Sequence, residues 1–187
     1  MRADARRKRD QIITAALHQI QTRPNSEITL NGIASDAGVG IATLYRHFPS
    51  RSSLYDACAV VYIDRLETLL DATLAGFHAD PQGSFERFVW AIVDSGVGML
   101  AAALAAEPSA DGPRIIVERR DAFMHKVQLL IDEAVPHGIV APGQTALQLA
   151  SELTVATRPM ASPLAEFLPD VRDRLVRHLI AGWRAEV

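Results

Sequence analysis

Residues 29–48 read TLNGIASDAGVGIATLYRHF, and this stretch decides how the chain folds. Ile33 and Ala37 are four positions apart, as residues on one face of a helix are. Thr29 lies where a helix N-cap belongs, and Gly38 lies where a helix stops and the chain turns sharply. The stretch therefore predicts two short helices joined by a tight turn, which is a helix-turn-helix.

The second of these helices is predicted over about residues 41–47. Leu44 and Phe48 are four positions apart and are expected to point inward against the first helix of the chain. The other side chains then face outward and form a compact surface of hydroxyls, rings and one cation: Ile41, Ala42, Thr43, Tyr45, Arg46 and His47. Such a surface suits a reader of the DNA major groove, since small groups reach base edges and polar groups reach phosphates.

The rest of the chain also reads as helical. A first helix is predicted over about 5–22, and a long fourth helix follows the break PSRSS at 49–53, with Ser50 as its N-cap. Further helices are predicted at about 84–106, 114–135, 142–157 and 168–185. No alternating strand pattern longer than a few residues is present, and 49% hydrophobic residues are enough to build a core. The sequence predicts an all-α protein.

Charge is distributed unevenly along the chain. Residues 1–52 contain eight basic and four acidic residues, a formal charge of +4, whereas the remainder contains eleven basic and eighteen acidic residues, a charge of −7. A basic head on an acidic body is typical of a protein whose head meets a polyanion. The basic run from Arg6 to Arg9 either adds DNA contacts or is an ordinary charged terminus.

Composition also bears on the compartment. The single cysteine, Cys58, excludes an internal disulfide and fits a reducing environment. Residues 97–106, VGMLAAALAA, are the longest unbroken small-apolar stretch, shorter than the roughly 18 residues that suggest a membrane span. Gln11 and His18 interrupt the apolar run near the N-terminus, so we expect no signal peptide. These features predict a cytoplasmic protein without a membrane partner.

The residues that carry catalysis in other proteins do not form a pattern here. The six histidines are scattered, without the paired spacing of metal ligands, and no glycine-rich phosphate loop or nucleophile elbow is present. Asp132 and Glu133 are adjacent and therefore point to different sides of a helix. We expect no catalytic residue, no metal and no cofactor.

The motifs around the predicted helix-turn-helix are specific enough to suggest a family. Residues 29–57, TLNGIASDAGVGIATLYRHFPSRSSLYDA, resemble the DNA-binding head of the tetracycline-repressor-like (TetR) family of bacterial regulators. The matching features are Ile33-Ala34, Ala37-Gly38-Val39, Thr43-Leu44-Tyr45, His47-Phe48, Arg51 and Leu54. Arg51 stands where the family often has lysine, and both side chains are cations able to meet a phosphate.

The resemblance implies a fold and a function. It implies a three-helix helix-turn-helix head at 1–52, joined by a long fourth helix to a C-terminal helical bundle at 53–187 that binds ligand and dimerises. It further implies a transcriptional repressor that binds double-stranded DNA, at a palindromic operator, as a homodimer. A small-molecule ligand would release it.

The resemblance also assigns individual roles in the head. Gly40, Ile41 and Ala42 begin the recognition helix, and Arg51 is a phosphate clamp. The full set of implied DNA contacts is Thr29, Asn31, Gly40, Ile41, Ala42, Thr43, Tyr45, Arg46, His47 and Arg51.

The body is less informative. A cavity for a small apolar or amphipathic ligand is expected among apolar and polar candidates, which are Tyr62, Trp90, Met99, Phe123, Met124 and Arg158. The last two helices carry apolar stripes, at Leu147, Leu149, Leu153 and Val155 and at Val171, Leu175, Leu179, Ile180 and Trp183. These stripes either form a dimer interface about a twofold axis or pack inside one chain.

One rival function stays open at this point. The chain is alternatively a helical protein–protein interaction module whose head does not bind DNA. The outward polar side chains of the predicted recognition helix argue against this alternative.

Overall fold

The computed structural model of the chain describes residues 2–106, 114–158 and 169–184. Within these ranges the chain is helical and has no β-strand, which confirms the all-α prediction. The helices are α1 (Arg2–Thr22), α2 (Leu30–Asp36), α3 (Ile41–His47), α4 (Arg51–Gly76), α5 (Pro81–Asp94), α6 (Val97–Ala106), α7 (Arg114–Ala134), α8 (Ala146–Ala156) and α9 (Val171–Gly182). Short 3₁₀ turns lie at Asn25–Glu27, Phe77–Ala79 and Val135–His137.

The chain divides into two compact units. The first consists of Met1–Tyr62 and Met99–Val117, and the second of Ile63–Gly98 and Glu118–Val187. The predicted head at 1–52 lies inside the first unit, which extends beyond it into α4. Helix α4 is continuous and contributes residues to both units.

The first unit is built around the inner faces of three helices. Ile12 and Ile20 of α1, Ile33 of α2 and Leu44 of α3 are almost completely buried, as is Phe48 directly after α3. Helices α2 and α3 have seven residues each, too few to be stable alone in water. Their packing on α1 therefore supplies the stability that their length does not.

Local signals fix the helix ends in the head as predicted. The Thr29 hydroxyl accepts a hydrogen bond from the Gly32 N–H at 3.0 Å and caps α2. Gly38 adopts a φ of +64°, which an L side chain rarely takes, and so allows the turn into α3. Ser50 and Ser53 cap α4 reciprocally, because each hydroxyl accepts from the other residue's N–H, at 3.1 and 3.2 Å.

Two predicted helices have different boundaries. The continuous helix expected over 84–106 is wrong, because α5 ends at Asp94 and α6 begins at Val97. Gly96, between them, has a φ of +77°, which interrupts the helix. The helix expected from residue 142 begins at Ala146, since Gly143 has a φ of +88° and Thr145 provides the N-cap.

The same region is long and apolar enough to raise the question of a membrane. Pro81–Ala106 would be able to cross a bilayer by length and composition. A single stretch of this kind is weak evidence, and the break at Gly96 divides it. It does not indicate a membrane protein.

The second unit is held by apolar packing and by polar ties between its helices. Asp64 of α4 pairs with Arg119 of α7, and two turns further along both helices Asp71 pairs with Lys126 at 3.0 Å. Trp183, directly after α9, is buried and donates its indole N–H to Glu152 of α8 at 2.6 Å.

Helix α5 begins with a charged cap. Asp80 accepts hydrogen bonds from the Arg87 guanidinium at 2.9 Å and from the Gly83 N–H at 3.0 Å. The Arg87 hydrogen bond, followed by that from Gly83, holds the pKa of Asp80 below its ordinary value.

Gly98 marks a close approach between α6 and the end of α8. Its N–H donates to the Thr157 hydroxyl at 3.1 Å. A Cβ atom at this position would lie 2.4 Å from the Thr157 carbonyl carbon. The approach therefore requires a residue without a side chain.

We predict that Gly98→Ala destabilises the protein. The new methyl group meets backbone atoms, and such overpacking costs about 1–3 kcal/mol. The matched control is Gly182→Ala in α9, where a Cβ would meet nothing within 4 Å. Thermal unfolding followed by circular dichroism measures both variants. Equal melting temperatures for Gly98→Ala and the parent chain would contradict the prediction.

Candidate functional site

Helix α3 presents a polar surface directly opposite its buried residues. Leu44 is fully buried, whereas Tyr45 is 50% exposed and Arg46 is exposed beside it. Thr43 and His47 are half-buried at the edges of this surface. The predicted inward and outward assignments of α3 therefore agree with the structure.

The first turn of α3 is small and accessible. Gly40 and Ala42 are exposed and Ile41 is half-buried, and a Cβ at Gly40 would meet nothing within 4 Å. A flat surface would therefore approach the backbone closely at this end of the helix. None of these three side chains carries a hydrogen-bonding group.

Two polar side chains of α3 are linked. The Arg46 guanidinium donates to the Thr43 hydroxyl at 2.9 Å, one turn earlier on the same helix. This bond restrains the long Arg46 side chain along α3 and holds its charge near the exposed surface.

The start of α2 contributes two exposed residues, the N-cap Thr29 and Asn31. The Thr29 oxygen is used as the acceptor of the N-cap bond to Gly32, and its hydroxyl proton remains able to donate to a second group. Thr29 therefore serves the fold and can also meet an acceptor such as a phosphate oxygen.

Arg51 is less exposed than its predicted outward placement implies, and its role as a phosphate clamp stays a prediction. Its guanidinium is half-buried and donates to the Tyr55 hydroxyl at 2.8 and 3.0 Å. It also donates to the backbone oxygen and the side-chain oxygen of Asn25, at 3.1 and 3.0 Å. Tyr55 lies one helical turn after Arg51, and Asn25 lies 26 residues before it. The local motif around Arg51 does not predict these hydrogen bonds.

The basic run at the start of the chain belongs to α1. Asp4 pairs with Arg7 at 2.7 Å and with Lys8 at 2.8 Å, and the hydrogen bonds from Lys8 and Arg7 lower the pKa of Asp4. Arg9 lies over the ring of Phe48, with its guanidinium carbon 5.2 Å from the ring centroid. Arg9 thus places a cation next to the end of α3, a position that charge counting alone did not identify.

The sequence of this region matches a known family. Residues 12–58 match the model of the family described as bacterial regulatory proteins, tetR family. This match confirms the predicted resemblance of the head to the TetR family. The predicted class of protein, a regulator and not an enzyme, is confirmed with it.

Two kinds of curated relatives are similar to this chain. The nucleoid occlusion factor SlmA of Idiomarina loihiensis is 32% identical over 71 residues, covering 38% of this chain and 36% of the relative. The chain thus spans about a third of the length of that relative. The HTH-type transcriptional regulator EthR of Mycolicibacterium smegmatis is 25% identical over 178 residues, covering 92% of this chain and 82% of the relative.

Solved structures show the same fold. A TetR regulatory protein from Rhodobacter sphaeroides has a TM-score of 0.66 at 18% identity, covering 92% of this chain and 96% of its own. A TetR transcriptional regulator from Streptomyces coelicolor has a TM-score of 0.64 at 23% identity, covering 96% and 99%. At these identities the likeness concerns the fold alone.

The second unit of the chain contains a cavity of about 70 Å³. Apolar side chains line it throughout, and no polar atom contributes to its surface. The lining comes from α4, α5, α7 and α8 with Val97 and Trp183, and includes Leu66, Phe85, Phe88, Phe123, Met124 and Leu149.

Two of the six predicted ligand contacts, Phe123 and Met124, line this cavity. Tyr62 and Met99 belong to the first unit, and Arg158 is exposed. Trp90 is half-buried below the Arg177 guanidinium, whose carbon lies 6.0 Å from the ring centroid. The polar group expected from Arg158 is therefore not part of the cavity.

The apolar stripes of α8 and α9 face two ways. Leu149, Leu153, Ile180 and Trp183 are buried in the second unit. Leu147, Val155 and Leu175 are exposed by 67%, 66% and 44%. Val155 and Leu175 line a shallow groove together with Ser151, Glu152, Ala156, His178 and Leu179. Packing inside one chain therefore accounts for the four buried residues, and a dimer interface stays a prediction for the exposed ones.

Proposed function

We propose that this chain is a DNA-binding transcriptional repressor of the cytoplasm, which binds a palindromic operator as a homodimer and is released by a small apolar ligand. The observation that carries the proposal is the outward surface of α3, where Tyr45 and Arg46 flank a small, accessible first turn. The repressor role itself follows from the family resemblance.

The surface of α3 has the composition that DNA recognition needs. Gly40, Ile41 and Ala42 allow close approach to base edges and thymine methyl groups. Donors for phosphate oxygens come from Tyr45, Arg46 and the Thr43 hydroxyl of α3. The start of α2 supplies two more, at Thr29 and Asn31. The excess of basic residues in the head favours encounter with a polyanion.

A homodimer provides the second reading head. The groove of α8 and α9 is apolar, and large apolar side chains exposed along one face mark association surfaces. A twofold axis through this face would bring the same surface of two copies together. Two heads related by that axis then require an operator whose half-sites are related in the same way.

The cavity favours an uncharged ligand. A charged or strongly polar group buried without a partner costs several kcal/mol, about 2–7 for a neutral amide or hydroxyl. No polar atom lines this cavity, so it offers no such partner. Release from DNA then follows by linkage: a ligand that prefers the form with low DNA affinity weakens DNA binding by the same coupling free energy.

We predict that the chain selects an imperfect palindrome from a random double-stranded DNA library, with affinity that falls steeply as salt rises. Tyr45→Phe should weaken binding to all duplexes alike, since it removes one phosphate donor, whereas Ala42→Ser should change the selected sequence. Fluorescence anisotropy at several salt concentrations measures the affinities. An interaction module would show no selected sequence and no salt-dependent duplex binding.

We predict that Val155→Glu converts the dimer to a monomer, because two buried carboxylates would face each other or an apolar groove. The matched control is Leu129→Glu, since Leu129 of α7 is also exposed, by 47%, and does not line the groove. Sedimentation equilibrium measures the mass of each variant. A dimer that survives Val155→Glu, or a parent chain that is already monomeric, would exclude this interface.

We predict that benzene raises the melting temperature of the chain and that benzoate, which adds a charge to the same ring, does not. A ligand that binds only the folded state stabilises it by mass action. The matched control is Ala150→Leu, which fills the cavity from α8 and should abolish the benzene effect. Equal shifts for benzene and benzoate would argue against an apolar ligand class.

A further inference from the structure

Arg51 is the centre of a hydrogen-bonded cluster where α4 begins. The cluster has three members, Asn25 in the turn between α1 and α2, Arg51 in the first turn of α4 and Tyr55 one turn later. We call these three residues the bracket. All three lie within the first compact unit.

The bonds of the bracket connect every pair of its members. Arg51 Nε and Nη2 donate to the Tyr55 hydroxyl at 3.0 and 2.8 Å. Nη2 also donates to both oxygens of Asn25, at 3.1 and 3.0 Å. The Tyr55 hydroxyl in turn donates to Asn25 Oδ1 at 3.1 Å, so each member bonds the other two.

Burial makes these bonds matter. Tyr55 is completely buried, and the Arg51 guanidinium carbon lies 5.1 Å from the centroid of its ring. The loss of a hydrogen-bond partner by a buried hydroxyl lowers the free energy of unfolding more than the same loss at the surface. The guanidinium donates two hydrogen bonds to the hydroxyl while its carbon lies close to the ring, an arrangement that a lysine ammonium does not reproduce.

The bracket ties two chain segments on either side of the DNA-reading helices. Asn25 lies in the turn that leads through the buried Ile28 to Thr29, the N-cap of α2. Arg51 follows α3 directly, at the start of α4. A hydrogen bond between Asn25 and Arg51 therefore fixes the position of the chain just before α2 and just after α3.

We infer that Arg51 acts on DNA binding as a positioning residue through the bracket, and that its charge does not serve as a phosphate clamp. The inference rests on the proposed DNA-binding function. It also makes Tyr55, which is too deeply buried to touch DNA, a determinant of DNA affinity.

The test compares three variants in duplex binding at several salt concentrations. Tyr55→Phe removes the hydroxyl and keeps the ring, Arg51→Lys keeps the charge and loses the planar fork, and Arg51→Ala loses both. Each variant should bind the selected duplex more weakly by roughly fivefold, the equivalent of a hydrogen bond. The slope of log affinity against log salt should stay that of the parent chain in all three.

A phosphate clamp gives a different pattern. Arg51→Lys would then bind like the parent chain, and Arg51→Ala would lower the salt slope by about 1. That pattern overturns the inference while leaving the DNA-binding function intact. Unchanged affinity in Tyr55→Phe overturns it as well.

A parent chain without salt-dependent duplex binding refutes the proposed function, and with it the role of Arg51 in DNA binding. The bracket itself is then judged by a double-mutant cycle on unfolding. Arg51→Lys and Tyr55→Phe are expected to be non-additive in their effects on chemical denaturation, because they break shared bonds. Additive effects would refute the bracket. Circular dichroism of each variant shows that it is folded under the binding conditions.

Discussion

The structure of the head depends on the burial of two helices that are too short to fold by themselves. Helices α2 and α3 have seven residues each, and a helix of that length does not return the free energy of its nucleation. Ile33 and Leu44 are both fully buried, and their packing on α1 supplies the missing stability. This constraint also determines what α3 can present to another molecule. Because one side of α3 is buried, only the side chains on its other side remain exposed.

The same logic extends to the polar contacts of the head. Caps at Thr29 and Ser50 and a left-handed Gly38 set the ends of the helices, and the bracket of Asn25, Arg51 and Tyr55 sets the segments around them. A cation that is committed to such a structural bond has fewer donors left for a phosphate. The geometry therefore separates the residues that hold α2 and α3 in place from those on the exposed surface of α3.

Sequence reasoning succeeded where the signal is local and failed where it is not. Thr29, Gly38 and the pair Leu44 and Phe48 follow from caps, turns and helical spacing, and the structure agrees with each. The prediction for Arg51 rested on a motif of residues close to it in sequence. Its hydrogen-bond partner Asn25 lies 26 residues earlier, outside the part of the motif that surrounds Arg51.

Other misses have the same origin. Helix α5 ends near Gly96, which has a positive φ. The residues around Gly96 are largely apolar on both sides, so the sequence gives no clear signal of a helix end there. Which residues line the cavity depends on how four helices pack against one another. The helical periodicity of any one of these helices does not predict the lining. Phe123 and Met124 line the cavity, while equally apolar residues such as Trp90 pack elsewhere.

The composition of α3 constrains how such a head would distinguish one DNA sequence from another. Its first turn, Gly40 to Ala42, has no side chain that donates or accepts a hydrogen bond, so base edges there are read by apolar contact and close approach. A bidentate side-chain contact to a base is worth about 1–3 kcal/mol of discrimination, and Arg46 is held along the helix by Thr43. Much of the affinity must then come from phosphate contacts, which carry no sequence information. A single head of this kind discriminates weakly, and discrimination has to come from combining two heads at a fixed spacing. The exposed apolar face of α8 and α9 is for this reason as necessary to the proposed function as the reading surface itself.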